Sequence, residues 1–149
     1  MYNKFQNNNY QNNRNRNNRG NQKKDWPFEE INKPLHIAFS DPKELYLPNG
    51  KAYKYAEVFR KINSSQMRKV LDGVKNALYI PNDKIAIKKM YVLVAMSAYN
   101  SGRNKNLSCL YEFLRKTINE KSVVDKDDIK AFDEFFTSVV AYHKSMGGK

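Results

Sequence analysis

The side chains with most to offer chemically are cations at regular spacing. Lys54, Lys61, Arg68 and Lys75 recur every seven residues, and positions seven apart fall on nearly the same face of a helix. Lys84 and Lys88 stand one helical turn apart, and Arg103 and Lys105 come next along the chain. The chemistry of such a strip is phosphate contact, because Lys and Arg grip a sugar–phosphate backbone and carry affinity more than base choice. Each of these residues also has a plainer reading as a solvated surface charge. Arg103 has one of its own, a cation completing the C-terminus of a helix. A break near Asn63, where Asn63-Ser64-Ser65 supplies oxygens suited to capping a helix, interrupts the seven-residue row.

Groups that make or break bonds are scarce. His36 and His143 lie far apart, and neither sits in an H-E-x-x-H metal pattern. Asp125, Asp127 and Asp128 have the spacing of magnesium ligands, but acids in the first turn of a helix are more simply partners of its dipole. No G-x-x-x-x-G-K-S/T phosphate loop is present. Cys109 is the only cysteine, which excludes a disulfide within the chain and a cysteine-based zinc site. Its neighbours Leu107, Leu110 and Phe113 make it a buried free thiol. The expectation is a protein without catalytic activity, cofactor or metal.

The charge of +12 over 149 residues is unevenly placed. Residues 1–24 carry +6 with no acid, residues 25–50 carry −3, residues 51–105 carry +9, and the remainder balances. That asymmetry points to a polyanionic partner, nucleic acid or an acidic membrane surface, and otherwise to a merely solubilising surface. With no apolar signal segment or membrane span in the sequence, the expected location is the cytoplasm.

The elements that must position the cations are helices. Residues 1–24 form an Asn-rich tail with Arg14, Arg16 and Arg19, too polar to offset its ordering entropy and so expected to be disordered. With Tyr2, Phe5 and Tyr10 it either contacts single-stranded RNA loosely or serves only solubility. Residues 25–50 are a transition broken by Pro27, Pro34, Pro42 and Pro48. There Trp26 and Phe28 anchor the start of the fold, and 35–39 is either a short extended piece or one helical turn. Apolar residues at helical spacing then predict helices over about 51–62, 64–79, 83–103, 107–118 and 126–146. The stretch from Met90 to Tyr99 is polar only at Ser97. A helix apolar on every side is normally a buried one, and ten residues are too few for a bilayer, which takes about 20. Val92, Leu93, Val94 and Met96 are therefore expected in the core, with this helix as the centre of an all-α, compact bundle of about five helices over residues 51–146.

Four segments carry a resemblance. Ile62 to Lys69 (I-N-S-S-Q-M-R-K) is similar to the Ser/Thr-rich helix start, ending in Arg, of the small subunit of type III-A CRISPR effector complexes, the Csm small subunit. Tyr99-Asn100-Ser101-Gly102-Arg103 resembles the end of that family's middle helix. Leu110 to Leu114 resembles its next helix, and Phe135 to Lys144 its closing F-x-x-F/L-V-A-Y-H/A-K pattern. The Asn-rich tail has no counterpart. The resemblance implies a non-catalytic helical subunit that stacks with other copies along the path of guide RNA and target RNA, beside the backbone and large subunits of the complex, and helps to hold the target strand. It implies phosphate or subunit contacts for Arg68 and Lys69, for Arg103 and for Lys144. The expected RNA-binding set is thus Lys54, Lys61, Arg68, Lys69, Lys75, Lys88, Arg103, Lys105 and Lys144. The other reading is a single-stranded RNA-binding adaptor that acts through its basic tail.

Overall fold

Four of the seven α-helices among the described residues begin where a side-chain oxygen replaces a missing backbone acceptor. A computed structural model describes residues 25–147. Their regular structure runs α1 (Leu35–Ala38), α2 (Pro42–Tyr46), α3 (Lys51–Val58), α4 (Ser64–Leu78), α5 (Asp83–Arg103), a 3-10 turn (Lys105–Leu107), α6 (Ser108–Thr117) and α7 (Lys126–Ser145). Asn63 Oδ1 accepts from the Gln66 amide at 2.9 Å and starts α4. Asn82 caps α5 by accepting from the Ile85 amide at 3.1 Å. Asp125 and Asp128 form a reciprocal capping box on α7. At its other end Gly147 takes φ +84°, a left-handed value that closes a helix at little cost for glycine. The five longer helices follow the sequence expectation. The first stops at Val58, so Phe59 to Asn63 is a tight connection.

The hub is α7, and the expectation for α5 needs correcting. Phe132, Phe135, Phe136 and Val139 of α7 are fully buried, and α7 packs on α1, α3, α4 and α5. At the centre stands Phe113 of α6, whose ring lies 5.5–6.2 Å from those of Phe28, Tyr55, Phe59, Phe132, Phe135 and Phe136. On α5 only Ala86, Met90 and Ser97 are buried. Val92 is 44% exposed and Met96 51%, as are Ile85 at 50% and Tyr99 at 59%. Between Met90 and Tyr99 the helix is apolar on nearly every side, yet the rest of the described chain covers one side of it. That covered side sits close to α4, where a Cβ on Gly73 would come within 2.6 Å of the Leu93 side chain.

Residues 25–50 are part of the same body. Phe28, Leu35 and Leu45 enter the core, and the segment is tied down by hydrogen bonds that its prolines leave available. The Ile31 amide donates to Lys116 O and the Leu35 amide to Ser122 O, both at 2.9 Å. The Tyr142 hydroxyl donates to Tyr46 O at 2.6 Å. His36 is clamped to Asp128, whose Oδ1 accepts from the His36 amide at 2.9 Å and faces its Nδ1 at 2.7 Å. Asp128 Oδ2 accepts from the Val124 amide at 2.8 Å. His143 is a buried tie of the same kind. Its Nε2 lies 2.8 Å from Ile62 O and 3.1 Å from Phe59 O, fixing the α3–α4 connection to the last turn of α7.

The aromatic cluster sets one test. Phe113→Ala should cost about 3–5 kcal/mol and lower Tm by roughly 10–20 °C. Val92→Ala, on the open side of α5, should cost no more than about 0.5–1 kcal/mol. Thermal melts of the two variants decide whether α6–α7 or α5 holds the fold.

The clamp sets a second, in pH. The Asp128 hydrogen bond raises the His36 imidazole above 6.5, with burial opposing and the nearby acids assisting. Its contribution is therefore full below pH 6.5 and is lost as pH rises through the raised value. Burial pushes Asp128 up, but the amides of His36 and Val124 and the His36 ring outweigh it and leave the carboxyl below 3.8. That contribution is present above pH 3.8 and is lost as pH falls through the lowered value. Relative to His36→Asn, which keeps a donor but cannot titrate, the protein should lose Tm steadily as pH is raised from 6 to 8.

Candidate nucleic-acid interface

Of the nine cations expected to face RNA, eight are exposed and Lys75 is half-buried. They do not form one row. With α3 ending at Val58 and α4 beginning at Ser64, Lys61 falls in the connection and the seven-residue repeat crosses two helix axes. Lys54 borders a cleft shared with Glu29, Lys43 and Glu44, where the charges are mixed. Lys75 Nζ lies 3.0 Å from Asp133 Oδ1 of α7, so contact with a phosphate competes with an existing ion pair. Lys61 and Lys144 adjoin Ile62 and His143, which the buried imidazole joins, so their backbones share one end of the bundle. Arg68 and Lys88 stand exposed on α4 and α5.

Lys69 and Arg103 do come together. They border a groove of about 460 Å³ where the first turns of α4 meet the end of α5, the 3-10 turn and the start of α6. Asn63 sets the start of α4, so the cap determines where Lys69 stands in its second turn. Arg103 is the last residue of α5, where a cation suits the helix dipole. Its guanidinium carbon lies 5.8 Å from the centre of the Tyr99 ring, a cation–π contact that holds the side chain near the helix. Lys105 opens the 3-10 turn beside it.

The groove has an apolar floor of Val70, Leu93, Leu107 and Leu110, with Met96 at its side. Gln66, Asn100 and Asn104 add amides. Asn104 Oδ1 is already engaged by the Asn106 amide at 3.0 Å, which fixes the turn after α5. Ser97, buried beneath, donates to Val94 O at 2.7 Å. The described lining contains neither carboxylate nor imidazole nor thiol. The groove thus offers positive charge, amide hydrogen bonds and an apolar surface, all means of binding. Gln66, Asn100 and Asn104 were not among the residues expected from sequence. The signal for two of them was present in the spacing Asn100, Arg103, Asn104, which puts three polar groups on one face at the end of an apolar helix.

The other candidate centre is His36 with Asp125 and Asp128, whose ligand-type atoms lie within 4.8 Å of one another. Several of these atoms already serve the fold. Asp125 Oδ1 accepts from the Asp127 amide at 2.9 Å, and Asp128 is shared among His36, Val124 and Asp125. The group is the cap of α7 and the anchor of α1. Cys109 is buried, which pushes its thiol up, and Sγ lies 3.5 Å from Asn106 O, so it is a packing residue. No helix among the described residues is long and apolar enough to cross a membrane.

Neither a curated protein nor a solved structure matches the chain. The sequence model of one family, Csm2 Type III-A, matches residues 43–149, from α2 to the end of the chain. On that match the chain belongs to the Csm2 family, the small subunit of type III-A CRISPR complexes.

Proposed function

We propose that this subunit holds the backbone of target RNA along the guide RNA–target RNA path, through a basic surface centred on Lys69 and Arg103, in antiviral defence. The observation that carries the reading is the meeting of those two cations at one groove with no acid in its lining. Arg68, Lys88, Lys105, Lys61 and Lys144 extend the exposed positive surface. Lys54 and Lys75 belong to the proposed set in second place, because acids stand beside them. The subunit acts without catalysing a reaction, in the company of the backbone and large subunits of its complex.

Stacking with other copies belongs to the same proposal. Ile85, Val92, Met96 and Tyr99 form an exposed stripe along α5, spaced three to seven residues apart as in a helix–helix seam. Tyr79 at the end of α4 is 83% exposed. An apolar stripe of this kind marks an interaction surface. Stacked copies need little affinity each for RNA, since a common strand supplies avidity.

Titration with single-stranded RNA tests the reading. Log affinity should fall with log salt by about 0.7 per phosphate contacted. Lys69→Ala with Arg103→Ala should weaken binding and flatten that slope by about one to two contacts. A protein lacking residues 1–24 should retain the effect, whereas loss of all binding on that deletion favours the tail-borne adaptor. Sedimentation of the same samples should show self-association that Val92→Glu removes. A wild-type protein that stays monomeric on RNA contradicts the stacking.

A further inference from the structure

The groove at Lys69 and Arg103 is more than a phosphate contact requires. A phosphate needs donors, and these two side chains supply them at the surface. It does not need an apolar floor, nor amides facing both ways. The volume of about 460 Å³ falls within the roughly 300–1,000 Å³ of small-molecule sites. The floor, built from Val70, Leu93 and Leu107, suits an apolar face that has left water. Asn100 and Gln66 each present a donor and an acceptor, the equipment for the edge of a heterocycle. The rim charge is wholly positive, so the occupant is anionic near its apolar part. Single-stranded RNA has this combination at every residue once a base is unstacked from its neighbours.

We infer that the groove takes one unstacked base of a bound single-stranded RNA, with the adjoining phosphates held between Lys69 and Arg103. This rests on the reading that the subunit holds RNA, and it adds the unit recognised. The base lies against Leu93 and Met96, and Asn100 meets its edge. Gly73 contributes indirectly, since its missing side chain is what lets Leu93 sit where it does. Binding is sequence-tolerant, because amides that rotate serve more than one base. It distinguishes a strand with bases from a polyanion without them.

The experiment compares a 12-nucleotide oligouridylate with an all-abasic ribose-phosphate strand of the same length, using the full chain. The oligouridylate should bind about five-fold more tightly or better, since the abasic strand loses the apolar contact and the edge hydrogen bond. Gln66→Ala and Asn100→Ala, which take away the amides that meet the base edge, should remove most of that advantage. Both should leave the salt slope and the abasic affinity unchanged, and their melting curves should match wild type. Equal affinity for the two strands, with a normal salt slope, overturns the base site and leaves the RNA-holding role intact. A preference for the oligouridylate that both variants retain also overturns it, since the base is then read elsewhere. Absence of binding to either strand at low salt contradicts both.

Discussion

Everything else in the described structure leans on the ring of Phe113. It is carried by a helix of only ten residues, too short to hold itself in water. It is placed among rings from residues 25–50, from α3, from the α3–α4 connection and from α7. Aromatic pairs at these separations add about 0.5–1.5 kcal/mol each beyond the area they bury. The cluster thus fixes α6, and with it the turn that joins α6 to α5. Two of the floor residues of the groove, Leu107 and Leu110, belong to that turn and its helix. The packing of the core and the shape of the candidate interface are in this sense one arrangement.

Polar ties do what the rings cannot. Short proline-bounded pieces such as α1 and α2 bury too little to dock on apolar contacts alone. They are fastened by His36 on Asp128 and by the Tyr142 hydroxyl on Tyr46 O. His143 does the same for the α3–α4 connection. From that connection Asn63 caps α4, and Lys69 follows at a fixed place. Two hydrogen bonds of ordinary length, joined by the chain itself, thus run from a buried imidazole to the helix that carries an exposed lysine.

Much of this was legible in the residues. Helix positions followed from apolar spacing and from Asn63 and Asp125, because a cap is a local event written in adjacent residues. The role of α5 was misjudged, and the reason is physical. Apolarity records that a side chain leaves water, not which chain covers it, and Ile85, Val92, Met96 and Tyr99 remain open on this chain alone. The ion pair between Lys75 and Asp133 was invisible because its partners are 58 residues apart. The groove was only half legible for the same reason. Lys69 and Arg103 were singled out separately, but nothing in the sequence says that α4 and α5 bring them to one rim. The segment 25–50 was read as a transition, because its fold depends on bonds to Lys116, Ser122 and Asp128 far along the chain.

The direct measurement is to isolate the tagged protein from its own cells under native conditions and display the bound RNA, end-labelled, on a denaturing gel. Short RNAs of a few discrete lengths, accompanied by larger protein subunits, are the predicted result for a small subunit seated along a guide RNA. A smear of unrelated RNAs without those subunits, or protein with no RNA at all, would contradict it.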